Sequence, residues 1–282
     1  MLLNHFSYHH PKDLEEAVSL LSSLPDAKLI AGGTFLINNL KALKKKGLKT
    51  PAHIISLKKI KELKSIRVDH HSVSIAAMTT IDEILSSKEL AQALPILTTV
   101  AENIATTQIR NMATIGGNIT SRYTWAEFNN CLLALDAKLH FILCDKKTTI
   151  VPIDEFLSKN AKCNDILTSI SIETKKNTIT SYQRLPRSSD VDIPLFAVCL
   201  KAEAEDNCLK NVCAVINKGT SFPKREKKLE QVLEGLTLGQ TPQKQLDSHS
   251  WQIDDEQLEE FQKIILAALT KEAVNDLRTK TK

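Results

Sequence analysis

The first sixty residues alternate between apolar and polar positions in a pattern typical of a βαβ unit. Residues 13–21 repeat apolar positions at helical spacing behind Asp13, an acidic residue suited to capping a helix N-terminus. Short apolar runs at 28–31 and 53–56 are typical of strands, and they flank a second helical pattern at 35–46 that Gly47 ends. We therefore predict a strand, a helix and a strand in succession over residues 28–56.

The middle of the chain predicts further strands and helices. Strand patterns occupy residues 72–77, 139–143 and 166–172. One helical pattern opens at residues 80–85, and a second runs from 95 to about 105. Residues 132–137 are either helical or lead into the strand that follows them. We predict an irregular segment at 109–118, because the pair Gly116-Gly117 interrupts any regular pattern.

A polar stretch at 173–178 is the best candidate for a domain boundary. After it come strand patterns at 195–202 and 209–216, a helix at 224–233, a polar loop at 237–250 and a last helix at 254–277. We predict an N-terminal domain at 1–174, divided into subdomains of about 1–57 and 58–174, and a C-terminal domain at 178–282. A length of 282 residues agrees with two domains.

Composition and charge exclude several classes of protein. Apolar residues make up 42% of the chain and charged residues 25%, which is ordinary for a soluble globular protein. A net charge of +4 is too small to predict nucleic-acid binding, and no stretch approaches the roughly 18 to 20 apolar residues that span a bilayer. No secretory signal is recognisable, so we expect a cytoplasmic protein. The six cysteines form no C-x-x-C pair, and we expect no metal site.

Lysines concentrate in one region, where they form either a solvated face or a docking face for an acidic partner. These lysines are Lys41, Lys44, Lys45, Lys46, Lys49, Lys58, Lys59, Lys61 and Lys64.

Two glycine pairs, Gly32-Gly33 and Gly116-Gly117, contain four of the eight glycines in the chain. Adjacent glycines lack the Cβ atoms that would prevent close approach, and they reach positive φ at little cost. Successive backbone N–H groups can then bind a diphosphate, helped by a helix N-terminus. Neither pair belongs to a G-x-G-x-x-G motif, and no P-loop lysine follows. Each pair alone is most simply a turn, but together they favour a shared ligand.

The residues around these pairs resemble a known family. Residues 31–36 read A-G-G-T-F-L, similar to its A-G-G-T-D-L, and residues 109–118 match its I-R-N-x-A-T-I-G-G-N in full. Further similarity at 75–80, at 132–137 and at Arg187, Asp190 and Asp192 extends the resemblance over nearly the whole chain. The family comprises the FAD-binding subunits and domains of xanthine dehydrogenase, carbon monoxide dehydrogenase and related molybdenum hydroxylases. It implies an α+β fold: a two-subdomain FAD-binding fold of the PCMH or vanillyl-alcohol-oxidase type, followed by a small C-terminal domain with an antiparallel sheet.

The resemblance also implies a function. The chain would be an oxidoreductase subunit with FAD as its cofactor and no catalytic or metal-ligating residues of its own. Substrate would be oxidised in a molybdopterin-binding partner subunit. Electrons would then pass through an iron–sulfur subunit to the FAD and on to NAD, oxygen or another acceptor.

The resemblance further implies which residues contact FAD. They are Leu29, Ile30, Ala31, Gly32, Gly33, Thr34, Phe35, Leu36, Ile104, Thr114, Ile115, Gly116, Gly117, Asn118, Glu127, Leu167 and Gln183. Plain core packing is the alternative for the apolar members. The sequence departs from the family at three of these positions, because Phe35 and Glu127 replace aspartates and Gln183 replaces a lysine. Tyr123 and Trp125 either stack on a ring system or belong to packing within the core or an interface.

Two other functions stay open. One is a self-sufficient flavin-dependent reductase similar to the enolpyruvyl-glucosamine reductases, which would contribute its own acid or base beside the flavin. The other is a non-catalytic scaffold subunit that has lost the cofactor, which the three substitutions would permit.

Overall fold

The computed structural model describes residues 2–159, 165–187, 193–238 and 258–280. The described part of the chain forms three sheets, which come from three successive stretches: residues 7–56, residues 66–173 and residues 178–279. The first stretch contains β1 (Ser7–His9), α1 (Leu14–Ser23), β2 (Ala27–Ile30), α2 (Leu36–Lys45) and β3 (His53–Ser56). The second contains β4 (Ile66–Val68), β5 (Ser72–Ala76), α3 (Ile81–Ser86), α4 (Lys88–Ala93), α5 (Pro95–Asn103), α6 (Thr107–Arg110), α7 (Ile115–Thr120), α8 (Phe128–Ala134), β6 (Lys138–Ile142), β7 (Thr148–Pro152), α9 (Ile153–Ser158) and β8 (Ile166–Glu173). The third contains β9 (Thr178–Leu185), β10 (Phe196–Glu205), β11 (Cys208–Asn217), β12 (Lys224–Arg225), α10 (Lys227–Leu233) and α11 (Glu260–Thr279).

The first stretch forms a three-stranded parallel sheet in the order β1-β3-β2. Parallel neighbours require a crossover, and α2 supplies it between β2 and β3. Helix α1 begins where the Asp13 carboxylate accepts a hydrogen bond of 2.8 Å from the Glu16 N–H. The strand, helix and strand predicted over residues 28–56 are therefore confirmed.

The second stretch forms an antiparallel sheet in the order β4-β5-β8-β6-β7. Its inner face packs against α3, α5 and α8 around a large apolar core. A capping box fixes the start of α3, because the Thr80 side chain accepts from the Glu83 N–H and the Glu83 side chain accepts from the Thr80 N–H. This cap also fixes the path of the chain as it leaves β5.

The third stretch forms an antiparallel sheet in the order β12-β11-β10-β9. Strand β10 is buried on both faces, since Phe196, Val198 and Leu200 contact the core under α10 and α11 while Ala197 and Cys199 join the core around α8. A strand covered on both sides has the continuous apolar run seen at 195–202. Because one core continues across residues 173–178, the domain division at that point stays a prediction.

Three predicted elements differ in the structure. Residues 109–118 are not irregular throughout, because most of them belong to α6 and α7, and the pair Gly116-Gly117 lies in the first turn of α7. The pair is there for close packing: a Cβ on Gly116 would lie 2.6 Å from the Ala77 carbonyl oxygen. The helix predicted at 224–233 starts only at Lys227, because residues 224–225 pair with β11 as an edge strand. The last helix begins at Glu260, and residues 254–257 of that prediction lie outside the described residues, as do 239–250 of the predicted loop.

No helix in the described ranges is long and apolar enough to cross a membrane.

Candidate functional site

The first glycine pair lies between β2 and α2. Gly33 has a φ of +74°, which an L-residue adopts only with strain and glycine adopts freely. The Ile37 N–H donates to the Gly33 carbonyl at 3.2 Å, so helical bonding begins there. The amides of residues 34–36 lie at the N-terminus of α2, the ten-residue helix that begins at Leu36, and they donate to no acceptor in the part of the chain that the structure describes. Such a turn favours an anionic ligand.

The two glycine segments, about eighty residues apart in sequence, pack directly against each other. A Cβ built on Gly32 would lie 1.9 Å from the carbonyl oxygen of Met112, and one on Gly117 would lie 3.8 Å from the Ala31 Cβ. The absence of a side chain at Gly32 is therefore what allows the first segment to lie against the backbone of the second.

The second glycine segment already uses its amides within the protein. The Ile115 N–H donates to the Thr79 carbonyl at 3.0 Å, and the Gly116 N–H donates to the Ala77 carbonyl at 2.9 Å. The Gly117 and Asn118 N–H groups donate to the hydroxyl and carbonyl oxygens of residue 114 at 3.1 and 2.9 Å. These bonds hold the segment against the chain that leaves β5. The sequence suggested two equivalent sets of amide donors, but the unbonded amides are concentrated in the first segment.

A cavity of about 800 Å³ opens between the two segments. Its volume lies in the range of ligand and cofactor sites. Fourteen of the predicted FAD contacts line it: Leu29, Ala31, Gly32, Gly33, Thr34, Phe35, Leu36, Ile104, Thr114, Gly116, Gly117, Asn118, Glu127 and Leu167. Ile30 and Ile115 instead have buried side chains within apolar core clusters.

Gln183 does not line the cavity. It lies on β9, and side chains alternate between the two faces of a strand, so Gln183 faces away from its neighbours Tyr182 and Arg184. Those two neighbours reach Glu127: the Tyr182 hydroxyl donates to its carboxylate at 2.6 Å, and Arg184 Nε lies 3.3 Å from the same oxygen. The sequence did not predict that either residue contacts Glu127. Their i, i+2 spacing, which places both side chains on one face of a strand, was the available signal.

Glu127 lies at the cavity wall with 4% of its surface exposed, so it is not a surface carboxylate. Burial is the main cause that raises the pKa of Tyr182 well above its usual value, and the adjacent Glu127 charge acts in the same direction. Tyr182 therefore keeps its proton at neutral pH and donates a hydrogen bond to the Glu127 carboxylate. A buried carboxylate needs such donors, because its desolvation is otherwise costly.

The segment between α7 and α8 also lines the cavity, through Arg122, Tyr123 and Trp125. The Tyr123 ring lies 4.2 Å, centroid to centroid, from the rings of both Phe35 and Trp125. The sequence left two possibilities for Tyr123 and Trp125, stacking on a ring system or packing within the core or an interface. Both rings lie at the cavity wall and not in the apolar core.

One buried polar atom at the cavity has no partner in the described part of the chain. It is Oδ1 of Asn118. Buried polar atoms in native proteins are nearly always hydrogen-bonded, so an unpartnered amide at a cavity wall suits a polar ligand.

The remaining candidate residues are those of metal-ligating type and those of the C-terminal signature. Within residues 2–159, 165–187, 193–238 and 258–280, no group of three or more His, Cys, Asp or Glu residues could hold a metal ion. Cys199 and Cys213 are buried thiols, and Cys208 is half-buried. Cys163, Asp190 and Asp192 lie outside the described residues.

Comparisons with known proteins agree with this geometry. Residues 4–173 match the family described as the FAD binding domain in molybdopterin dehydrogenase. The carbon monoxide dehydrogenase medium chain of Hydrogenophaga pseudoflava is 33% identical over 196 residues, which cover 67% of this chain and 66% of that relative. The xanthine dehydrogenase FAD-binding subunit of Escherichia coli O157:H7 is 35% identical over 151 residues, covering 53% of this chain and 50% of that protein. The sequence alignments thus span between half and just under two thirds of these two relatives.

Solved structures extend the similarity to the whole chain. A structure of carbon monoxide dehydrogenase from Hydrogenophaga pseudoflava superimposes with a TM-score of 0.86 and 25% identity, covering 99% of both chains. Quinoline 2-oxidoreductase from Pseudomonas putida 86 superimposes with a TM-score of 0.85 at 18% identity, which supports the fold alone. The predicted α+β fold class, FAD cofactor and oxidoreductase class are confirmed. The chain belongs to the family of FAD-binding domains of molybdopterin dehydrogenases.

Proposed function

We propose that this chain is the FAD-carrying, electron-transfer subunit of a multi-subunit molybdenum hydroxylase. The observation that carries the proposal is the cavity between the two glycine segments, which combines unbonded helix-start amides with a buried carboxylate. Its partners would be an iron–sulfur subunit and a molybdopterin-binding subunit. The names of the relatives support this, because "medium chain" and "FAD-binding subunit" each describe one part of a larger enzyme.

The residues at the cavity fit FAD. The amides of residues 34–36 and the Thr34 hydroxyl would donate to the diphosphate, and the unpartnered Asn118 amide would bond a polar group beside it. Ile104 and Leu167 supply apolar wall for a ring or a sugar. Glu127 would accept a hydrogen bond from a ring N–H or a sugar hydroxyl. When bound, FAD supplies the electron-transfer chemistry, and the protein supplies placement and electrostatics.

The C-terminal sheet completes this site. Tyr182 and Arg184 come from β9, and they hold the Glu127 carboxylate at the cavity wall by a hydrogen bond and an ion pair. A fixed negative charge beside the cofactor opposes the addition of negative charge to it. Arg184 offsets part of this effect, because its guanidinium carries a positive charge and its Nε lies 3.3 Å from the same carboxylate. Together, these side chains would set the reduction potential of the bound flavin.

Cofactor binding is tested first on the purified full-length chain. We expect a yellow protein whose flavin, released on denaturation, is identified as FAD by chromatography. Titration of the cofactor-stripped protein with FAD should give a one-to-one complex. The control is Ile150→Ala, since Ile150 is exposed on β7 and does not line the cavity. Protein that stays colourless and binds no added FAD would contradict the proposal and favour the scaffold alternative.

The subunit role is tested by identifying the proteins that co-purify with the chain. We expect the tagged chain, isolated from its native cells, to co-purify with proteins that carry iron, acid-labile sulfide and molybdenum in fixed ratios to FAD. When no chemical reductant such as dithionite is added, reduction of the flavin by the substrate of that complex should then require all the subunits. A chain that binds FAD and is isolated without iron and molybdenum would favour the self-sufficient reductase. The electron acceptor is found by the same assay, with NAD and oxygen as separate arms.

A further inference from the structure

Three aromatic side chains form a continuous surface at the cavity. Phe35 follows the first glycine pair, and Tyr123 and Trp125 lie between α7 and α8. The Phe35 and Tyr123 rings are tilted by 56°, and the Tyr123 and Trp125 rings by 37°. Phe35 keeps 39% of its surface exposed although the Tyr123 ring is next to it. All three rings line the cavity, and the described part of the chain leaves the Phe35 ring partly uncovered there.

The polypeptide between the rings is held firmly. Thr124 Oγ1 donates to the Gly219 carbonyl at 2.5 Å, and Asn217 Nδ2 donates to the Thr124 carbonyl at 2.8 Å. On the other side of Tyr123, the Arg122 guanidinium donates to the Phe156 carbonyl at 2.6 Å and lies 5.0 Å from its ring centroid. Residues on both sides of Tyr123 are thus anchored to other parts of the fold, while the rings at 123 and 125 project to the cavity. A binding surface positioned in advance loses little entropy when a ligand binds.

The chemistry of the surface selects a flat ligand. Aromatic faces attract other planar rings through stacking and edge contacts, with centroid separations of about 4.5–7 Å. The Glu127 carboxylate lies two residues after Trp125, and it accepts hydrogen bonds from N–H groups. A planar heteroaromatic ring that carries N–H donors satisfies both features. A sugar or a flexible acyl chain would satisfy only one of them.

We propose that Phe35, Tyr123 and Trp125 form an aromatic platform that binds one heteroaromatic ring of a nucleotide cofactor by stacking, with Glu127 accepting from that ring. This inference rests on the proposed function, and it adds the residues that select the ring. The platform contributes affinity that the second glycine segment does not, because the amides of that segment are bonded within the protein. FAD has two such rings, isoalloxazine and adenine, and both have the required chemistry.

The test compares FAD, FMN and ADP as ligands of the full-length chain by isothermal titration calorimetry. Leucine replaces each ring in turn, because it keeps apolar volume and removes the π face. Stacking of a base on an aromatic side chain is worth about 5- to 150-fold in affinity, so Trp125→Leu and Tyr123→Leu should weaken FAD binding by such a factor. If the ring is isoalloxazine, FMN binding weakens and ADP binding is unchanged; if it is adenine, the reverse holds.

Two controls keep the result decisive. Phe261→Leu removes an exposed ring on α11, 52% exposed and outside the cavity lining, and it should leave every affinity unchanged. Phe35→Leu is the second variant if the substitutions at 123 or 125 impair folding, since its ring is partly exposed and its loss should be tolerated. Trp125→Phe should restore most of the affinity that Trp125→Leu loses. If the ring is isoalloxazine, bound flavin should also be less fluorescent in the wild type than in Trp125→Leu, because a stacked indole quenches it; if the ring is adenine, the fluorescence should not change.

The outcomes separate this inference from the proposed function. Wild-type protein that binds FAD, with leucine variants that bind it equally well or more tightly, would overturn the platform and leave the FAD site intact. Wild-type protein that binds none of the three ligands would overturn both. Weaker binding confined to the ring variants supports both.

Discussion

Replacing Gly32 by alanine should force the two glycine segments apart. The new methyl group would lie 1.9 Å from the Met112 carbonyl oxygen and 2.6 Å from its carbonyl carbon. Non-bonded atoms pack best at roughly 3.5 Å or more, so this overlap is severe. The obstructing atoms belong to the backbone and cannot rotate away as a side chain would. Relief therefore requires that the loop after β2 or the segment before α7 move.

The expected magnitude follows from this geometry. Inserting a methyl group into well-packed structure typically costs about 1–3 kcal/mol. We expect Gly32→Ala at the upper end, about 3 kcal/mol, since both contacting segments are held by strands and helices. Displacement of the first segment should also remove at least one amide–phosphate hydrogen bond. A hydrogen bond to a charged group contributes about 1.5–3 kcal/mol, so FAD affinity should fall by about 10- to 150-fold.

Urea denaturation monitored by circular dichroism measures the loss of stability, and calorimetric titration measures the loss of affinity. Gly47→Ala is the matched control, because Gly47 has a φ of +66° and no atom lies within 4 Å of its built Cβ. That variant should lose about 1–2 kcal/mol through left-handed backbone strain alone, with unchanged FAD affinity. The steric argument is refuted if Gly32→Ala is no less stable than Gly47→Ala and binds FAD normally.

Other substitutions probe what holds the site and the core. Tyr182→Phe should lower the free energy of unfolding by about 1.5–3 kcal/mol, because the buried Glu127 carboxylate loses its 2.6 Å hydrogen bond; an unchanged urea midpoint would contradict this. Arg122→Lys should cost about 1–2 kcal/mol and speed hydrogen exchange in residues 121–127, because an ammonium group does not reproduce the planar stacking on Phe156. Burial raises the pKa of Cys213 to about 12, so the folded chain keeps a proton that the unfolded chain loses above about pH 8.5. Its contribution to stability is complete below that pH and should fall by up to about 1.4 kcal/mol per pH unit above it. Because burial also raises the pKa of Cys131 and Cys199, Cys213→Ala should keep part of the alkaline slope and lose only this share of it in urea titrations up to about pH 10.5.

The elements that the sequence predicted well are those whose burial pattern is local. Strand β8 alternates apolar and polar residues because one of its faces is covered, and β10 begins with the continuous apolar run 196–200 because both faces are covered there. Helices α1 and α3 carry their own caps, Asp13 and Thr80, within three residues of the atoms they bond. Patterns of this kind are complete within a short window of sequence.

The elements that were missed depend on distant partners. Strand β7 shows no apolar–polar alternation and has no fully buried residue, and it is a strand because it pairs with β6 at the edge of the sheet. Strand β9 was not predicted, yet through its pairing with β10 it brings Tyr182 and Arg184 to Glu127 at the cavity wall. The glycines of the second segment were interpreted as donors to a ligand, whereas Gly116 is required for contact with the Ala77 backbone.

The family, the α+β class and the two glycine segments could be predicted from the amino-acid sequence, because they follow from short motifs and local periodicity. Which groups at the site are available to a ligand depends on the packing of distant segments. The amides near Gly116 are bonded to a neighbouring segment, Glu127 is buried by Tyr182 and Arg184, and Gln183 is excluded by the alternation of its strand. Hydrogen-bond partners and the faces of strands are set by chain segments far apart in sequence, and no local pattern records them.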